Sequence, residues 1–166
     1  MNSINNSARI AQPSKPLAPK KPPVCLECGD ETSLARGSDV YPGEDHLAEI
    51  WVWKCQCGAF ARCQPGTLIP VARPAGDETR RLRNEVFRLV YEILGPCGGT
   101  VKEKKLWSAH RFYIQRKTAY LALSRRKAIK FGYLTKDEAR LCVEFLKQNG
   151  DMFNSHRSNE QSGSVA

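Results

Sequence analysis

This 166-residue chain has no apolar run near the ~18 residues that a membrane-spanning helix needs, and no apolar segment of signal-peptide type at its start. It contains three histidines, His46, His110 and His156, scattered without the spacing of metal ligands or of a catalytic pair. No glycine-rich phosphate loop, nucleophile elbow or carboxylate pair is present, and Glu27 does not reproduce the H-x-E…P-C-x-x-C pattern of zinc deaminases. These absences lead to the expectation of a cytoplasmic protein that is not an enzyme, binds no small-molecule substrate and does not enter a membrane. In a reducing compartment its seven cysteines are expected to be metal ligands or free thiols rather than disulfides.

Both ends are poor in apolar residues. The stretch "MNSINNSARIAQPSKPLAPKKPP" (1–23) is basic and rich in proline, and "SHRSNEQSGSVA" closes the chain with polar residues. Neither can bury enough apolar surface to offset the entropy of ordering, so 1–23 and 150–166 are expected to be disordered tails. The foldable part divides into a cysteine-bearing module at 24–68 and a helical basic module at 77–149.

In the first module, "IWVWKC" alternates as a strand requires, with "SLARGSDVY" as its antiparallel partner through the Pro42-Gly43 turn and "GAFARC" as a third short strand. Residues 64–76, with three prolines and two glycines, form an irregular connector. After it the period changes. Leu82, Val86, Leu89, Val90 and Ile93 share one helical face, with Asp77 as the expected N-cap and Gly95-Pro96 as the stop. A second helix is expected over 111–130. A third is announced by the capping box of Thr135 and Glu138, followed by Ala139, Cys142, Val143 and Leu146 on one face. The predicted fold class is therefore α+β: a small β-rich zinc ribbon followed by about three α-helices.

Cys25 and Cys28 have C-x-x-C-G spacing, and Cys55 and Cys57 have the tighter C-x-C-G form. Such pairs turn two thiolates toward one ion, and two pairs complete a tetrahedral four-sulfur site suited to one structural Zn2+. Cys63 can replace Cys57 as a ligand or sit in the small core as a soft hydrophobe; the glycine after Cys57 favours the core reading. Cys97 and Cys142 read as free thiols. A catalytic zinc keeps one position open, whereas four thiolates close the shell.

Charge is concentrated. Within 102–130, Lys102, Lys104, Lys105, Arg111, Arg116, Lys117, Arg125, Arg126, Lys127 and Lys130 face Glu103 alone, so this segment carries +9, as much as the net charge of the whole chain. Trp107, Phe112, Tyr113 and Tyr120 are interleaved. Cations among aromatics suit a phosphate backbone, with stacking available for unpaired bases. The plainer alternative is that the basic side chains solvate a helix while the aromatics form core. Nucleic acid, DNA or RNA, is the expected partner. The second possibility is a protein-interaction module that inhibits a host nucleic-acid-processing complex, and a third is an enzyme with a site centred on Cys63.

The motifs "CLECG", "WVWKCQCGAFARCQPGTLIPVA", "DETRRLRNEVFRLV", "RKTAYLAL" and "FGYLTKDEARLCVEFL", in that order over residues 25–146, resemble a zinc-finger-containing domain family of unknown function found in bacteria, prophages and phages. The chain has Gln64 where that family has a histidine, Cys55-x-Cys57 where it has C-x-x-C, and Lys130-Phe131-Gly132 where it has His-Ile-Gly. The resemblance implies a four-cysteine zinc site and a mobile-element setting, and supplies no activity.

Overall fold

A computed structural model describes the backbone of residues 16–162 and the side chains of residues 16–153. Residues 1–15 and 163–166, within the expected tails, lie outside the described residues. The layout is α+β: a three-stranded antiparallel sheet followed by three helices.

The sheet has the order β1 (Ser33–Arg36), β2 (Trp51–Lys54), β3 (Phe60–Arg62). Leu34 pairs with Trp53, and Trp53 with Ala61, which fixes the register of all three strands. Val52 and Trp53 are both buried, so strict alternation does not describe β2. Trp53 is held by an indole N–H donated to the Leu68 carbonyl at 2.8 Å, whereas Trp51 is 37 % exposed beneath the Arg36 guanidinium. The proline-rich connector is not loose. It returns along β3, with Val71 N–H donating to Arg62 and Phe60 and Ala75 exchanging backbone bonds. Part of the expected N-terminal tail is bonded as well: Thr32 N–H donates to Pro23 and Leu68 N–H to Leu17.

The helices are α1 (Asp77–Leu94), α2 (Val101–Leu123) and α3 (Lys136–Ser162). Ion pairs of Glu78 with Lys136 and Arg140, and of Glu85 with Lys147, tie α1 and α3 in parallel. Trp107 stacks on Tyr91 and donates its indole N–H to the Gly95 carbonyl, which turns α2 back against α1. Val86, Val90, Leu94, Ile114, Leu146 and Phe153 are at most 2 % exposed and form the middle of the shared core.

Three boundaries differ from the sequence expectation, each for a physical reason. First, α2 begins at Val101 because Thr100 and Glu103 form a capping box: Thr100 Oγ1 accepts from Glu103 N–H, and the Glu103 carboxylate accepts from Thr100 N–H. It ends at Leu123 because Ser124 turns into the left-handed region at φ 53°. Ile129, Arg125, Arg126, Lys127 and Lys130 therefore lie on the segment after the helix, not on it.

Second, α3 runs past residue 149, where the expected C-terminal tail begins, because Phe153 packs against Phe145 and Tyr113. Third, the N-cap of α1 is Gly76, not Asp77, and the acceptor for its amide comes from outside the helix. The Thr135–Glu138 capping box of α3 forms as expected, with bonds of 2.9 and 3.3 Å.

Arg83 joins the modules. Its side chain is buried on α1, with Nε and Nη2 donating to the Leu134 carbonyl and Nη1 to the Arg73 carbonyl. Burial lowers its pKa to about 10, so it stays cationic at neutral pH. Replacing it by Met keeps much of the stem but strands two carbonyls. Arg83→Met is expected to lower unfolding free energy by about 2–4 kcal/mol in urea titrations; a loss under about 0.5 kcal/mol would refute this role, since that is the size of an ordinary surface substitution.

Candidate metal centre and cationic surface

Each cysteine pair sits on a turn that reverses the chain. In the first, Cys25 N–H donates to Asp30 and Gly29 N–H to Cys25; in the second, Cys55 N–H donates to Ala59 and Gly58 N–H to Cys55. The glycines take φ values of +84° and +88°, which side-chain-bearing residues rarely adopt, so C-x-x-C-G and C-x-C-G are two lengths of one turn. Backbone amides are directed at the sulfurs, as in the 3.4 Å contact of Glu27 N–H with Cys25 Sγ.

The turns bring the four Sγ atoms of Cys25, Cys28, Cys55 and Cys57 within 4.8 Å of one another. The separations are 3.6 Å for Cys25–Cys57, 3.4 Å for Cys28–Cys55 and 3.7 Å for Cys28–Cys57. These exceed the ~2.05 Å of a disulfide. They approach the ~3.8 Å edge of a tetrahedron with metal–sulfur bonds of about 2.3 Å. The four residues can hold a metal ion.

Cys63 is not one of the group. It is half-buried at the end of β3, its N–H is given to the Trp51 carbonyl, and burial raises its thiol pKa. Cys142 is wholly buried in the helical core, which pushes its thiol up to about 12 and leaves it protonated. Cys97 is exposed.

Glu27, inside the first knuckle, has a role that spacing rules did not reveal. Its Oε1 accepts from Gly76 N–H at 2.9 Å and from Thr79 Oγ1–H at 2.7 Å, at the N-terminus of α1. These two bonds hold its carboxylate pKa below the usual range. A turn of the cysteine cluster thus caps a helix of the other module. The pair spans 49 positions, so no local sequence window contains both ends of the bond.

The cations of the basic segment divide by position. Lys104, Lys105, Arg111, Arg116 and Lys117 are exposed on α2, and Arg125, Arg126, Lys127 and Lys130 are exposed on the segment after it. Arg125 pairs with Glu138. Among the described residues, the other eight have no acid within salt-bridge distance, although Arg111, Lys117 and Lys130 approach the rings of Trp107, Tyr113 and Tyr133 at 5.8–5.9 Å. On α1 and α3, by contrast, Arg80, Arg88, Lys136, Arg140 and Lys147 are all in ion pairs.

Sequence reasoning also missed a cleft of about 940 Å3 between sheet and helices. There Arg111 and Lys130 meet Arg62, Arg73, Arg80 and Arg83, and no aspartate or glutamate lines it. Among the described residues no helix is long and apolar enough to cross a membrane. No family model, curated protein or solved structure matches this chain, so the part of the motif resemblance that has support is the cysteine cluster.

Metal analysis of the purified protein should give one ion per chain. Cys25→Ser and Cys55→Ser are expected to lose it and Cys63→Ser to keep it; loss in Cys63→Ser would overturn the ligand set. Glu27→Ala is expected to retain the ion yet lower stability by about 1 kcal/mol, the usual cost of a lost cap. Full metal content with unchanged urea midpoint would show that the cap contributes nothing.

Proposed function

We propose that this chain is a non-catalytic zinc protein that binds nucleic acid through α2 and the segment after it. The observation that carries the reading is the contrast in ion pairing. Five of the seven described cations of α1 and α3 are in ion pairs, Arg81 and Arg83 being the exceptions, whereas eight of the nine site cations from the basic segment have no acidic partner among the described residues. The one acid of that segment, Glu103, is engaged in the cap of α2. Unpaired cations on one helix and its exit match a phosphate backbone, whose binding gains entropy from released counterions.

Zinc is the metal this reading names. Four thiolates in tetrahedral array select zinc or iron, and a closed structural shell with no open position is the usual zinc arrangement. Its role is to hold the ribbon. Among the described residues no histidine joins the cluster, and the nearby carboxylate of Glu27 is engaged by Gly76 and Thr79 rather than free to move protons. The reading also keeps the protein in the cytoplasm and in the mobile-element setting that the motif order resembles.

The test is fluorescence anisotropy with labelled DNA and RNA over a salt series. The wild type should bind with a steep salt dependence. Reversal of Lys104, Lys105, Arg116 and Lys117 to Glu should weaken binding at least tenfold and flatten the slope in proportion to the phosphates no longer neutralised. Absence of salt-dependent binding by the wild type would refute the proposal; isolation of one stoichiometric protein partner would then support an inhibitor of a nucleic-acid-processing complex. Iron rather than zinc in the purified protein would correct the metal.

A further inference from the structure

The cleft between ribbon and helices is built from six separate parts of the chain: Tyr41, β3, the connector at 71–73, the facing residues of α1, those of α2, and the segment 128–133. Its cations fall into two groups. Arg83 is committed to backbone carbonyls, while Arg80 pairs with Asp77 and lies over the Phe60 ring at 3.6 Å. Arg62, Arg73, Arg111 and Lys130 have no acidic partner among the described residues, and no carboxylate lines the cleft to neutralise them. Even Arg80 keeps one buried nitrogen, Nη1, without a hydrogen-bond acceptor.

Two aromatic residues of the lining are left in water. Phe112 is 57 % exposed and Tyr133 is 42 % exposed, whereas Phe60, Phe87 and Phe131 of the same lining are buried or half-buried. The amides of Asn84 and Gln115, which offer both donors and acceptors, complete the lining. Excess positive charge, exposed ring faces and two amides are the three elements that recognise a phosphate, a base plane and a base edge. The cleft is of the size that holds a compound of a few hundred daltons.

We propose that this cleft seats one unpaired nucleotide of a single-stranded nucleic acid, which rests on the nucleic-acid reading above and makes the protein a reader of single strands rather than duplexes. A strand, rather than a free nucleotide, is favoured by continuity. Phe112 of the cleft stands on α2 one turn before the exposed Arg116, and Lys105 and Lys104 lie about two turns the other way. Phosphates on either side of a seated nucleotide would meet those cations. A duplex cannot deliver an isolated base and its phosphate into a recess, because its bases are stacked and paired.

The experiment compares a short labelled oligothymidine strand, a duplex of equal length and thymidine monophosphate as competitor. It uses the full chain with its metal. The variants are Arg62→Ala/Arg73→Ala, which lies outside the basic segment, and Phe112→Ala, with the four-residue α2 reversal alongside. The wild type should prefer strand to duplex by at least tenfold. Both cleft variants should weaken strand binding by about tenfold to a hundredfold while duplex binding stays unchanged; the α2 reversal should weaken both. Metal content and circular dichroism verify that each variant is folded.

Equal affinity for strand and duplex, or cleft variants with no effect on the strand, would overturn the inference and leave the general reading intact. Competition by thymidine monophosphate as strong as that of the strand would make the cleft a small-molecule site and overturn the assignment to a strand. No salt-dependent binding to either polymer would overturn both readings.

Discussion

Four sulfurs of the ribbon lie within 4.8 Å of one another, two of their residues almost wholly buried. As thiolates at that distance they repel strongly unless a cation stands among them, since charges in a poorly hydrated site interact far more than in water. Away from the sulfurs the ribbon is held by the burial of Val52, Trp53, Phe60 and Ala61 and by backbone pairing. Its strands are three or four residues long, and the buried cluster around the sulfurs adds only Ala59 to Cys25 and Cys55. Around the sulfurs burial is slight, so a metal ion held by the two turns would add the constraint that fixes their geometry.

Two polar links join the ribbon to the helices. Glu27 carries the first knuckle to the N-terminus of α1, and Arg83 fastens α1 to the connector and to the end of the segment before α3. Both links use charge-assisted hydrogen bonds to backbone, which fix position more tightly than apolar contact does. The cleft lies where these parts converge. Its shape is therefore set jointly by the ribbon and the helical core, and neither module contains it alone.

The arrangement of charge follows a similar division. Surface ion pairs contribute little stability individually, so the pairs joining α1 to α3 act mainly to neutralise neighbours and keep the helices in register. The cations of α2 have no such companions. A run of unpaired positive charge raises self-repulsion in the folded chain, a cost that an anionic partner would remove.

Patterns within one turn or one helix were legible in the sequence: the paired cysteines with their following glycines, the strand pairing around "IWVWKC", the apolar face of α1 and the capping box of α3. Each depends on residues a few positions apart, where backbone geometry alone fixes who meets whom. The start of α2 follows the same short-range rule in Thr100 and Glu103, although the apolar stripe of its first turns is weak. What no local window contains is the bond from Glu27 to Gly76, the reach of Arg83 to Leu134, or the meeting of Arg62 and Arg73 with Arg111 and Lys130 around one cleft. The sequence by itself determined the elements and the metal-ligating turns, because those follow from short-range sterics and periodicity. Only tertiary packing decided which cations face a common space, because that follows from how three helices and a small cysteine-bearing ribbon close on one another.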